Sequence, residues 1–192
     1  LLDFTSVLSG DIGTISDSSD NSFHVVQANG TDLSAVLDGF TIQDGNADNS
    51  ATGDISGAGL LDIDADPFIN NCIFTDNSAQ TGAAVFVAGT SARFDNCQFI
   101  DNAATDIGGA VAITSDTQNF NNCLFQNNSA TNSGGGIYGG GGVINLLDCS
   151  MQGNTASSGG AIYSALATGS IINSIFSLNS ADQGGAIYTA SS

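Results

Sequence analysis

The chain has no Trp, one Met, one Pro and one His; Arg93 is its single strong base, and all 19 of its acidic residues are Asp. Without Glu or Lys it lacks the residues that normally clothe the solvated faces of helices, which argues against helices of any length. A formal net charge of -18 leaves nothing to displace the counterions of a phosphate backbone or an anionic headgroup. Nucleic acid is thereby excluded as a partner, and direct membrane insertion by this segment is not expected. No stretch approaches the apolar length of a spanning helix, and Leu1-Leu2-Asp3-Phe4 has neither the basic start nor the apolar run of an export signal. What the chain does have is 25 Gly, with Asn, Asp and Ser beside them, a composition of many tight turns. A 41% hydrophobic content over 192 residues suffices for a sizeable core. The acidic surface suits salty or extracellular water. The abrupt opening, and a last repeat that stops after Gly184-Gly185-Ala186-Ile187-Tyr188, read as a mature fragment of a longer exported precursor.

One phrase returns every 25 or 26 residues: Asn71-Cys72-Ile73-Phe74, Asn96-Cys97-Gln98-Phe99, Asn122-Cys123-Leu124-Phe125, Asp148-Cys149-Ser150-Met151 and Asn173-Ser174-Ile175-Phe176. An Asn follows each at a fixed offset (Asn77, Asn102, Asn128, Asn154, Asn179), then a glycine at Gly82, Gly108, Gly134, Gly159 or Gly184. A period of that length marks a solenoid, whose unit buries its apolar face only by stacking on its neighbours. From leading glycine to Cys position is always 16 residues inclusive, so equivalent side chains stack in register about 4.8 Å apart. Three inward ladders follow. Leu60, Val85, Val111, Ile137, Ile162 and Ile187 form the first; Ile69, Phe94, Phe120, Leu146 and Ile171 the second; Phe74, Phe99, Phe125, Met151 and Phe176 the third. Period-two alternation places the cysteines on the same face as the third ladder. The recurrent Asn is expected at a bend, in a left-handed backbone, passing amide hydrogen bonds along the stack. The glycine pairs permit a sharp bend and close backbone approach.

The pattern blurs upstream but persists. Leu37 to Ala47 aligns with Ile69 to Ala79 at a spacing of 32, which leaves a loop insertion near residues 47–56. Phe23-His24-Val25-Val26 and Val7-Leu8-Ser9-Gly10 read as strands of irregular N-terminal coils within residues 1–36. The expected architecture is all-β, one right-handed parallel β-helix over residues 1–192 with about seven coils.

Cys72, Cys97, Cys123 and Cys149 occupy one position of successive coils. Parallel, in-register side chains rarely reach disulfide torsions, and a line of thiols does not surround a metal tetrahedrally, so buried free thiols are expected. Asp62, Asp64 and Asp66 alternate and are expected on one strand face, where they either bind calcium or form a solvated outer surface. His24 has no Cys or His nearby and reads as a strand residue. Tyr138, Tyr163 and Tyr188 each follow an inward Ile, so they form an outward row: a contact strip for sugar or protein, or exposed filler.

Phe-x-x-Asn (Phe74-Asn77, Phe99-Asn102, Phe125-Asn128, Phe176-Asn179) alternating with Gly-Gly-Ala-Ile/Val (Gly108 to Val111, Gly159 to Ile162, Gly184 to Ile187) resembles the repeats of chlamydial polymorphic outer membrane proteins. It is similar also to bacterial surface β-helices with pectin-lyase-like folds. The resemblance spans about residues 37 to 192. It implies the fold, and a function among adhesins, autotransporter passengers, structural proteins and polysaccharide-degrading enzymes. Lyase chemistry relies on Arg or Lys, often with calcium, and Arg93 stands alone; related hydrolases set a His and basic residues near paired Asp, and His24 is in no such cluster. The expectation is therefore a non-enzymatic extracellular or cell-surface stalk, adhesin passenger or matrix component, without a cofactor unless calcium binds. Its expected partner is a host or cell-surface protein or glycan, or itself by head-to-tail stacking into filaments. The alternative is a polysaccharide-binding protein or a lyase or glycoside hydrolase on the same fold.

Overall fold

The computed structural model describes residues 6–32, 34–48, 53–89 and 91–190. The first residues of the chain and positions 49–52 of the insertion lie outside it.

The coils contribute short strands to four walls, and every strand pair is parallel. Wall 1 follows the glycine turn: Val26–Asn29, Leu60–Ile63, Val85–Ala88, Val111–Ile113, Ile137–Gly139, Ile162–Ser164 and Ile187–Thr189. Wall 2 contains Val36–Asp38, Phe68–Asn70, Arg93–Asp95, Thr117–Asn121, Val143–Leu147 and Thr168–Ile172. Wall 3 contains Ser6–Ser9, Phe40–Gln43, Ile73–Thr75, Gln98–Ile100, Leu124–Gln126, Ser150–Gln152 and Ile175–Ser177. The short wall 4 is Asn46–Ala47, Ser78–Thr81, Ala103–Ile107 and Ser129–Ala130. The fold is thus a parallel β-solenoid, seven strands deep in walls 1 and 3, with about five coils in the regular repeat. Among the described residues the sole helical element is a 3₁₀ turn, Ser18–Asp20, and no helix is long and apolar enough to cross a membrane.

The ladders pair as the spacing requires. Leu60, Val85, Val111, Ile137, Ile162 and Ile187 are successive register partners, and so are Ile42, Phe74, Phe99, Phe125, Met151 and Phe176. Inside, Phe74, Phe99 and Phe125 stack with centroids 5.2 and 4.6 Å apart, while Phe94 and Phe120 from wall 2 meet them edge-on at 5.8 and 5.5 Å. Offset stacks with edge contacts suit the ring quadrupole, and each buried ring adds roughly 1.5–3 kcal/mol by area. The same register holds in the last described coil, where Ile171 and Ile187 are part exposed at the edge of the described stack.

The Asn column differs from expectation in one respect. Asn77, Asn102, Asn128 and Asn154 do pass hydrogen bonds upward, each Nδ2 donating to the next Oδ1 at 3.0 Å or, into Asn179, 2.9 Å. The left-handed backbone, however, belongs to the preceding residue: Asp76, Asp101, Asn127, Gly153 and Leu178 have φ between 54° and 67°. That residue turns the chain so that the Asn side chain points inward, where it is almost wholly buried and also donates to a carbonyl of the coil before, as Asn102 does to Phe74 O at 2.9 Å. The glycine turns behave as expected. Gly134 sits at φ 69°, and a Cβ on Gly135 would lie 2.4 Å from the Gly160 and Thr155 carbonyl oxygens.

Candidate functional site

Because stacking consumes the interior, chemistry that addresses a partner is confined to outward columns and to places where the interior departs from apolar packing. The outer column of wall 1 is the first. Phe86, Ala112, Tyr138, Tyr163 and Tyr188 are register partners in successive coils, one residue after the inward ladder. The tyrosine rings stack with centroids 5.4 and 5.2 Å apart and planes 8° and 17° from parallel, and all three are half-buried. Ala112 below them is covered, so the exposed aromatic strip begins at Tyr138. A Cβ on Gly140 would come within 3.1 Å of the Tyr138 ring; the absence of a side chain there lets the ring lie against the turn. Burial, with Tyr163 and Asp106 adding negative charge, raises the Tyr138 phenol above its ordinary pKa and keeps it a hydroxyl.

The second place is Asp62, and here the reading of Asp62, Asp64 and Asp66 as one outward face is corrected. The strand ends at Ile63 and Asp64 turns through φ 51°, so alternation stops after two residues. Asp62 faces inward, fully buried, between Ala28 of the coil below and Val87 of the coil above. Asp64 is exposed, and Asp66 is tied to the wall 2 corner by accepting the Ser91 N–H at 2.7 Å. Neither Asp62 oxygen has a hydrogen-bond partner of good geometry, although the Ala65 N–H gives a small electrostatic offset. Burial, then the Asp66 charge, pushes the Asp62 carboxyl up to about 7. The three do not make a cation site, and no group of three His, Cys or Asp side chains suited to a metal occurs among the described residues.

His24 lies before the strand that opens at Val26, rather than within a strand; its ring is buried, Nδ1 3.2 Å from Gly57 O and Nε2 3.5 Å from Asp54, which pins the end of the insertion. Arg93 pairs with Asp95 and lies over the Phe68 ring at 5.2 Å, so its charge is engaged on wall 2. Cys72, Cys97, Cys123 and Cys149 are buried free thiols that donate to the carbonyl two residues back, Cys72 to Asn70 O at 3.2 Å. Burial pushes the Cys72 thiol up to about 11, and contacts with Cys149 and Cys97, together with burial, raise Cys123. Two features escaped the sequence reading. Gln118 is buried in wall 2 and accepts the Ala92 N–H at 2.9 Å. A polar hollow of about 360 Å³ beside Asp11, Asn21, Asp44 and Asp76 opens near the N-terminus.

Compared with known proteins, the chain matches the model of the Chlamydia polymorphic membrane protein repeat at residues 122–140, 148–165 and 173–190. Each match runs from the Asn-Cys-x-Phe position, across the ladder Asn, to the glycine turn and the first residues of wall 1. No curated protein and no solved structure matches the chain. The chain is a parallel β-solenoid, and three of its coils are similar to the Chlamydia polymorphic membrane protein repeat.

Proposed function

We propose that this chain is a non-enzymatic surface β-solenoid of the extracellular side, an adhesive or structural rod whose partner meets its outer walls. One observation carries the reading: stacking occupies the interior along the repeat, so successive coils add length while their outward columns stay free to vary. The match of three coils to a membrane-protein repeat supports a surface location. Surface exposure is tested by labelling intact source cells with an antibody against the chain and by protease shaving; signal found only after lysis rejects it. The enzymatic alternative is tested on a panel of acidic and neutral polysaccharides. Release of reducing ends or unsaturated products, abolished by an Asp substitution, would replace the present reading.

A second reading concerns self-association. In the last described coil Ile171 and Ile187, members of the inward ladders, are part exposed, and their strands are paired on one side only among the described residues. Head-to-tail contact between copies would cover these inward-ladder side chains. Sedimentation velocity across a hundredfold concentration range tests this, and a monomer throughout rejects it.

A further inference from the structure

We infer that Tyr138, Tyr163 and Tyr188 form a binding strip for an extended, uncharged β-1,4-linked glycan lying along the solenoid axis. The inference deepens the surface reading by naming the ligand class.

Parallel pairing repeats the same group at one interval along a line, and the ring centroids are 5.4 and 5.2 Å apart. An extended β-1,4-linked glycan advances one sugar ring in close to that distance, so consecutive sugars fall opposite consecutive tyrosines; the linkage turns alternate sugars over, and a phenol hydroxyl, which both donates and accepts, serves either edge. A peptide strand is out of step, since its same-face side chains recur at about 6.7 Å. An α-helical turn, about 5.4 Å, comes nearer, but a helical partner seats its apolar stripe in a groove. Here the tyrosines stand on the outer face of a sheet wall.

Stacking hides the ring faces from solvent, so the strip presents ring edges and phenol hydroxyls. Hydroxyls both donate and accept, which matches the hydroxyl-bearing edge of a sugar chain. The Tyr138 phenol stays protonated, and Asp106 lies within electrostatic range of it, held by Asn132 Nδ2 at 2.7 Å. With a formal net charge of -18 the molecule repels uronates, sulfates and phosphates, which leaves neutral sugars as the favoured class.

The test uses the purified chain with cellohexaose and chitohexaose in solution, and with insoluble cellulose and chitin in sedimentation assays. Maltohexaose and polygalacturonate serve as the wrong linkage and the wrong charge. Binding to at least one of the two β-1,4-linked hexamers, without binding to the controls, is expected. Tyr163→Ala, which removes the middle rung, is expected to weaken binding about tenfold; Tyr163→Phe, which keeps the stack but not the hydroxyl, is expected to weaken it severalfold with an unchanged melting curve. The Phe variant keeps the test valid if the Ala variant folds poorly. Absence of binding to either hexamer, equal binding to polygalacturonate, or Tyr163→Phe binding like the parent would overturn the inference. So would capture of a helical peptide on the strip in place of a glycan. Since the assay is on isolated protein, its failure leaves the surface-labelling result untouched.

Discussion

Replacing Asp62 with Val gives the sharpest test of the interior. In wild type the buried carboxyl has its pKa raised from 3.8 to about 7, so the folded state holds a proton that the unfolded chain gives up. The sign follows. Stability associated with Asp62 is fully present below the unfolded value, falls as pH rises between the two values, and is level again above about 7. At about 1.4 kcal/mol for each tenfold change in proton activity, that interval corresponds to about 4 kcal/mol. Val occupies the matching place in the next coil, at Val87, so Asp62→Val fits the column and does not titrate. Even protonated, an unpartnered buried carboxyl costs about 1–3 kcal/mol, so the variant is expected to be the more stable protein at about pH 4 as well.

The quantity to measure is the widening of that gap. Between about pH 4 and pH 8 it should grow by about 4 kcal/mol, which in a chain of this size moves the melting temperature by about 10 °C. The comparison cancels the mutual repulsion of the other carboxylates, which both proteins share. Solenoid stability is a sum of local terms, so amide exchange localises the effect: protection at Leu60–Ile63 and Val85–Ala88 should drop with pH in wild type only, while Ile162–Ser164 serves as the distant reference. Parallel pH profiles for wild type and Asp62→Val would refute the inward placement and the raised pKa together.

Three further outcomes are expected. Asn102→Ala removes the partner of the Asn77 N–H and of the Phe74 carbonyl, and should lower stability in urea by about 2–3 kcal/mol, whereas an exposed control such as Asn132→Ala should cost far less. Phe99→Ala empties the centre of the ring stack and should cost about 3–5 kcal/mol, with Phe99→Leu recovering most of it in the same titration. The four thiols, buried and held against carbonyls, should resist a thiol-reactive chromophore in native buffer near neutral pH and react only after denaturant is added; fast native labelling would contradict their placement.

The ladders were legible because a fixed spacing leaves the register no freedom: a one-residue slip would turn Phe74, Phe99 and Phe125 outward together. Asp62 was misread because alternation was counted through Asp66 without asking where the strand ends. The corrective signal was present. Aligning Leu60 with Val85 and Val111 sets Asp62 against Val87 and Ile113, an inward apolar column, so the repeat itself marks the carboxylate as internal. The Asn column was misread for a related reason: the residue before it carries the left-handed turn, and Asp, Asn, Gly and Leu all fill that place, so no single letter announces it. The contact of His24 with Asp54 was not legible at all, because it crosses the insertion, where the period offers no alignment. The same logic bears on function. A column dictated by stacking carries no information about a partner, so partner information is to be sought in outward columns that repeat a residue packing does not demand. Tyr138, Tyr163 and Tyr188 meet that criterion, since Ala112 and Phe86 occupy the same column in earlier coils of the same fold.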